Sequence, residues 1–284
     1  MEKQFIQGTP EWLEMRKKYI MASDAPAILG VSPWKSVYQV WEDKLGLSLP
    51  LEDNWAMKRG RDLEPIALEA YVLETGNMVV PMVLFHDEIS YMGASLDGVS
   101  DDKTVAVEIK CPGEKDHLLA LQGIVPEKYM PQLQHQLAVL GINEIHYFSY
   151  KDGETALITV PRDEVFIKRL LAENKKFWKC VENLTPPPLS ERDYKKRSDL
   201  EWAKAVSSWK DSKLDLEAAK TRESIYRESL IGMADRTNSI GSGVRVQRVL
   251  RMGSVDYKSV PELKDVDLEK YRKESIESWR IAQC

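Results

Sequence analysis

Cysteine is scarce in this chain: there are three in 284 residues, Cys111, Cys180 and Cys284. None forms a C-x-x-C pair, which argues against a disulfide framework, a cysteine zinc site and a four-cysteine iron–sulfur cluster. Reduced thiols in a cytosolic setting are the expectation. Long apolar runs are also missing. Nothing approaches the roughly 18 apolar residues of a membrane span. The opening MEKQFIQGTPEWLEMRKK lacks the apolar core of a secretory signal. A soluble intracellular protein with no membrane partner is expected. Nor is there an excess of positive charge. Lys and Arg number 40 against 45 Asp and Glu, a formal net charge of −5. The surface as a whole is therefore no polyanion binder, and any nucleic-acid contact must come from a local cluster of Lys and Arg. No internal repeat and no low-complexity tract interrupts the chain.

What is present is a hydrophobic fraction of 43%, enough for one sizeable core and a second small domain. Helix signals dominate the first 75 residues. Thr9-Pro10-Glu11 opens a helix over 9–19 with a cap, a first-turn proline and a first-turn acid. Segments 22–30, 36–46 and 54–75 read as further helices, each stopped by a glycine. Pro65 is best placed at a helix start just after Glu64. The texture then alternates. Strands are expected in NMVVPMVLFH, in SYMGASLDGVSDD with its turn, and in KTVAVEIKC. KYMPQLQHQLAVLG is a helix, EIHYFSYKDG and ETALITVPRD are strands, and DEVFIKRLLAENKKFWKCVENL is a strongly amphipathic helix. This order implies a mixed α/β core with a central sheet of about five strands.

Three prolines in TPPPL (185–189) mark a break. The expected organisation is a core over 1–185, a Pro-rich linker over 186–198 and a C-terminal extension over 199–284. The extension reads as a long helix and a hairpin turning at Met252-Gly253, with a tail of helix and short strand. Trp202 and Trp209 sit two turns apart on one face of that helix and are expected to pack.

The chemistry concentrates in two short strings. Glu108 and Lys110 lie two apart on a strand and so share a face. A hairpin over 91–110 brings Asp97, of Leu96-Asp97-Gly98, beside Glu108. Hard divalent cations favour such carboxylates, and the Ile109 carbonyl between the two side chains offers a further oxygen. A lysine there faces the charge that gathers on a phosphoryl transition state. Taken alone, Glu108-x-Lys110 is far more often the pattern of an ordinary surface strand; with Asp97-Gly98 upstream the two readings stand even.

Two further strings join it. Gly60-x-x-x-Glu64 precedes them, and Tyr129-x-x-Gln132-x-Gln134 follows. The whole order, Gly60…Glu64, Ser95-x-Asp97-Gly98, Glu108-x-Lys110 and Tyr129…Gln134, resembles the lambda exonuclease (YqaJ-like viral recombinase) family of the PD-(D/E)xK nuclease superfamily. The resemblance covers roughly residues 8–185. It implies a restriction-endonuclease-like core: a central mixed sheet flanked by helices, here with a helix-and-hairpin C-terminal extension. It implies metal ligands at Glu64, Asp97, Glu108 and the Ile109 carbonyl, a catalytic lysine at Lys110 and a helper at Gln132. The metal is Mg²⁺ or Mn²⁺. In WLEMRKKYIMASDAPAILGVSPW, Arg16 and Ser23 match the family's contacts to the DNA 5′-phosphate, and Ser95 resembles a third. An Arg fork and a Ser at a helix start suit a phosphate chemically. Without the resemblance, a solvated Arg and a cap Ser describe them better. Met57 lies where the family places an apolar wedge near the DNA end, with ordinary core packing as the favoured alternative.

By resemblance the chain is a metal-dependent deoxyribonuclease, a 5′→3′ exonuclease on duplex DNA ends that leaves 3′ single strands for phage-type recombination. Its implied setting is the cytoplasm of a bacterial host, encoded by a phage or prophage. The implied partners are duplex ends, a single-strand annealing protein and its own copies in a ring trimer. The alternatives are a DNA-end-binding recombination adaptor and a nuclease of the same superfamily with different polarity. The family's Arg shortly after the E-x-K lysine has no counterpart; Lys115 and Lys128 follow instead. In the extension, Arg245, Arg248 and Arg251 are candidate DNA contacts, with a solvated hairpin face as the equal alternative.

Overall fold

A computed structural model describes residues 9–48, 55–254, 256, 260–263 and 266, with only the backbone described at 56, 57 and 262. The chain divides into two compact units, Met1–Lys196 and Arg197–Cys284.

In the first unit, α1 (Pro10–Lys17) begins as the sequence implies, with the Thr9 hydroxyl accepting from the Trp12 N–H at 3.3 Å. Then come β1 (Ile20–Met21), a 3₁₀ turn (Ala22–Asp24), α2 (Ala25–Ile28) and α3 (Val37–Leu45). The helix expected over 22–30 is thus a tight turn joined to a single helical turn. Helix α4 (Trp55–Thr75) runs through Pro65, which lies inside the helix and not at its start. A proline contributes no N–H to the ladder and costs helix stability there, so tertiary contact must hold the helix across it. That contact is the buried pair Ala67 and Tyr71, one turn beyond the proline, packed on the sheet.

The sheet comprises β2 (Val80–Phe85), β3 (Met92–Val99), β4 (Ala106–Lys110), β5 (Glu144–Lys151), β6 (Glu154–Pro161) and the short β1. The main path is β1-β3-β4-β5-β6, with β2 paired to β3. It is mixed: β4 runs parallel to β5, and β3 antiparallel to β4. It has six strands; the extra one is β1, too short for an alternating pattern to reveal. One face packs Met92, Ala94, Leu96 and Tyr147 against Leu133 and Leu137 of α6 (Met130–Leu140) and Leu170 of α7 (Glu164–Glu182). The other packs Val107, Ile109 and Phe148 against Ala67 and Tyr71 of α4. A short helix α5 (Glu114–Leu121), not anticipated from the sequence, follows β4.

The prolines at 186–188 do not free the chain at once. A 3₁₀ turn at Glu191–Asp193 is docked on the first unit: Arg192 donates to the carbonyls of Ser32 (3.0 Å) and Pro33 (3.1 Å), and Ser36 bonds Asp193. The expected linker is therefore anchored for more than half its length, and the division falls at Lys196/Arg197.

The second unit is one long helix, α8 (Leu200–Ala234), and a hairpin of β7 (Ser239–Gly241) and β8 (Val244–Val246). The hairpin turns at Ser242-Gly243, not at Met252-Gly253. Both turn residues have positive φ, 48° and 79°, which a two-residue hairpin turn demands and which glycine tolerates without strain. Trp202 is half exposed, with Arg197 over its ring, and Trp209 is only partly covered. The tail beyond 266 lies outside the described residues. Among the described residues no helix is long and apolar enough to cross a membrane.

Candidate active site

The site forms where β3 and β4 stop pairing. Their ladder holds only Gly98↔Val107 and Val99↔Ala106. One step further, the Asp97 carboxylate replaces a backbone partner and accepts the Ile109 N–H at 2.8 Å. This fixes Asp97 against β4. Gly98 lets it happen: a Cβ there would lie 2.6 Å from a Val79 methyl and 2.8 Å from a Val107 methyl. Only hydrogen fits between the strand and its neighbours.

Glu108 is 1% exposed, yet it is fully ligated by polar groups. Lys110 and Gln132 donate to Oε1, and Gln136 donates to Oε2. Gln136 also reaches the Ser95 carbonyl at 3.4 Å. A buried carboxylate is tolerable only with such partners. Gln132 and Gln136 stand four apart on α6, hence on one helix face. Gln134 points away from them. It donates to the Pro161 carbonyl and accepts from the Asp163 N–H, both at 2.9 Å, and so pins α6 to the start of α7. Its role is structural.

Charge is crowded here. Burial pushes the Asp97 carboxyl well above the usual range; Glu108 and Glu64 add to this, while Lys110 and the Ile109 N–H oppose it. Burial also raises Glu64, on α4; Lys110 works against that shift and Glu108 with it. At Lys110, burial favours the neutral amine, but Glu108 and Asp97 outweigh it and hold the ammonium above the ordinary lysine range. Three acids around one lysine leave uncompensated negative charge, which suits a cation. Among the described residues, no group of three or more His, Cys, Asp or Glu side chains closes into a metal cage. Mg²⁺ does not require one, since one or two carboxylates with water and phosphate oxygens are its usual set.

Residues 11–143 match the profile of the YqaJ-like viral recombinase domain. They form such a domain. The chain is 29% identical over 175 residues to the YqaJ protein of Bacillus subtilis (strain 168), covering 59% of this chain and 54% of that one. It is 27% identical over 165 residues to protein R354 of Acanthamoeba polyphaga mimivirus, covering 53% and 30%. The chain thus spans about half, or less, of the length of these curated relatives. Among solved structures, the alkaline exonuclease LHK-Exo of Laribacter hongkongensis aligns with TM-score 0.55 and 29% identity over 62% of this chain and 94% of that one. The fold is accordingly that of the PD-(D/E)xK nucleases, an α/β core with a mixed sheet between helices.

Within the YqaJ-like domain, the structure also brings together the N-terminal pair. Arg16 donates to the Ser23 hydroxyl at 2.9 Å, and its guanidinium lies 4.6 Å over the Trp12 ring. Beneath them, buried Asp24 is held by Lys44 at 2.5 Å, and Lys44 also donates to the Arg16 carbonyl at 2.9 Å. Burial opposes the Asp24 charge, but Lys44 and Arg16 outweigh it and keep the carboxyl below its ordinary range. Ser23 and Ser95 each lie two residues beyond the parallel pair Met21↔Gly93, Ser23 in the 3₁₀ turn that follows β1 and Ser95 within β3, where it pairs with Val83 of β2. The Met57 side chain lies outside the described residues. In the second unit, Arg245 is on β8 and exposed, whereas Arg248 and Arg251 follow the hairpin; the three do not share a strand.

Sequence reasoning overlooked Gln136, Arg59 and the Asp24–Lys44 pair. Arg59 ties α4 to the end of β4 through the Cys111 (3.2 Å) and Pro112 (3.4 Å) carbonyls, and thereby sets the helix that carries Glu64. The i,i+4 relation of Gln132 and Gln136 was the one available signal.

Proposed function

We propose that this chain is a metal-dependent 5′→3′ exonuclease acting on double-stranded DNA ends and leaving 3′ single strands for recombination. The observation that carries the reading is the cluster of Asp97, Glu108 and Lys110 at the parted strand ends, gripped by Gln132 from α6. The likeness to a protein described as an alkaline exonuclease, also solved in complex with dAMP, supports it. Asp97, Glu108, Glu64 and the Ile109 carbonyl are the oxygens that would hold Mg²⁺ or Mn²⁺; both ions suit carboxylate and water ligands. When bound, the ion polarises the scissile phosphate and lowers the pKa of the attacking water. Lys110 presents a permanent ammonium to the negative charge of the transition state. Gln132 holds one Glu108 oxygen and keeps that carboxylate from swinging. Arg16 and Ser23, with Ser95, bind the 5′-phosphate and set the direction of digestion.

The test is digestion of linear duplexes bearing either a 5′-phosphate or a 5′-hydroxyl, labelled at one end, in Mg²⁺. Mononucleotides released first from the 5′-phosphorylated end are expected. Folded protein inactive on both substrates refutes the nuclease; early release of a 3′ label refutes the polarity. Assembly into a ring and an annealing-protein partner belong to the same proposal, and light scattering of the full chain tests the ring.

A further inference from the structure

One large apolar side chain beside this site is unexplained by packing. Trp34 is 60% exposed. Leaving an indole in water forgoes most of its burial energy, yet the segment carrying it is locked. The buried Ser32 hydroxyl accepts from the backbone N–H groups of Trp34 (3.2 Å) and Lys35 (3.1 Å). Arg192 clamps the carbonyls of Ser32 and Pro33, and Lys35 pairs with Asp43. The exposed ring therefore stands on a fixed base. It stacks on Tyr129, with centroids 6.0 Å apart and planes at 28°; Tyr129 in turn stacks on Tyr147 at 5.9 Å and 30°. The Lys110 ammonium lies 5.7 Å from the Tyr129 ring. Lys128, held by Asp116 at 2.6 Å, sits 5.0 Å over Trp34 and 5.2 Å over Tyr129. The result is an aromatic ladder, Tyr147–Tyr129–Trp34, with the Lys110 ammonium beside its middle rung and an open indole edged by a cation at its outer end.

We propose that Trp34 is a base-stacking platform: an unpaired base of the DNA strand at the catalytic centre stacks on its ring, with Lys128 beside the backbone. The proposal rests on the nuclease reading for where the strand lies. Every base has a π-face, so such a platform is indifferent to sequence, as digestion from any end requires. Rigid presentation keeps the entropic cost of the contact low.

The experiment places 2-aminopurine at successive end positions of 5′-phosphorylated duplexes and adds the full chain in EDTA, so that binding is read without cleavage. Wild type is expected to quench one or two adjacent positions. Trp34→Ala is expected to bind about tenfold more weakly and to lose the quench, while Trp34→Phe recovers most of both. Because Trp34 is largely exposed, its variants should melt with the wild type. Wild-type affinity and quench in Trp34→Ala overturn the platform and leave the indole to a protein partner; equal weakening in Trp34→Phe overturns stacking as the cause. Quenching without any digestion in Mg²⁺ would sink the nuclease reading alone, and digestion with an unchanged quench would sink the platform alone.

Discussion

The first unit buries charge, whereas α8 of the second keeps its ion pairs at the surface. The first has exposed pairs such as Glu14–Lys17 and Glu173–Lys176, but it also buries and saturates ionised groups. Glu108 has three side-chain donors, and Asp24 and Lys44 face each other out of solvent. In α8 of the second, ion pairs such as Glu217–Lys220 and Glu223–Arg227 lie in the open at helical spacing, and Ala234 is the buried residue of a 35-residue helix. Exposed pairs of that kind contribute little to stability. Burying charge is costly, and a fold retains it where position matters more than stability. On the proposed reading, the buried charge of the first unit is where the chemistry would lie.

The sharpest way to break that contrast is Lys110→Ala. Single-turnover cleavage in Mg²⁺ should fall by about 10³-fold, the scale of losing one preorganised electrostatic partner. End binding should persist, because Gln132 and Gln136 still hold Glu108. Arg227→Ala should leave the rate unchanged. Comparable losses in both variants would erase the distinction between the units.

Next in size is Asp24→Ala. It leaves Lys44, with a side chain 3% exposed, as an uncompensated buried charge, and should cost about 3–5 kcal/mol in denaturant unfolding. Arg16 and Ser23 lose the residue beneath them, so the preference for a 5′-phosphate should weaken as well. Stability equal to wild type would mean that this pair is not buried in solution.

His135 provides a pH signature for the first unit. It is fully buried, with one ring nitrogen 3.0 Å from the Gly93 carbonyl and the other 3.4 Å from the Asn174 amide. Burial pushes its pKa from 6.5 down to about 4, partly offset by Gly93. The unfolded chain therefore binds the proton more readily, and stability is present above about 6.5 and is lost as pH falls toward about 4. The loss should be on the order of 3 kcal/mol across that window, and His135→Gln should flatten the slope of unfolding free energy against pH by this amount. An unchanged slope would remove His135 as its source.

Much of the first unit was legible in the sequence because its elements are long or punctuated: α7 by apolar period, α1 by its cap. Asp97, Glu108 and Lys110 were legible because strand period fixes their faces. Glu64 needed the resemblance, and α4 runs straight through the proline that seemed to bound it. Helix α5 has eight residues, too few for periodicity to speak. Gln136 stayed hidden because its partner Glu108 is 28 residues away, and no spacing rule links a helix residue to a strand carboxylate. For Trp34, residue type alone offers a DNA contact and a core position alike, and only the structure shows the ring 60% exposed. In the second unit, the hairpin was sought at Met252-Gly253 because alternation continues past Val246, whereas positive φ at Ser242-Gly243 decides it.

The smallest expected effect tests whether the second unit takes any part in binding. If Arg245, Arg248 and Arg251 touch DNA, they do so as separate cations, since a single strand face does not carry them. Each phosphate contact contributes about 0.9 to the slope of log affinity against log salt concentration. The triple alanine variant should then bind duplex ends slightly more weakly at low salt, with a slope shallower by about one to three and no change in which end is digested. An identical slope would make these arginines a solvated surface. On the proposed reading, binding and cutting would then belong to the first unit, and the ion pairs of α8 would be left in water.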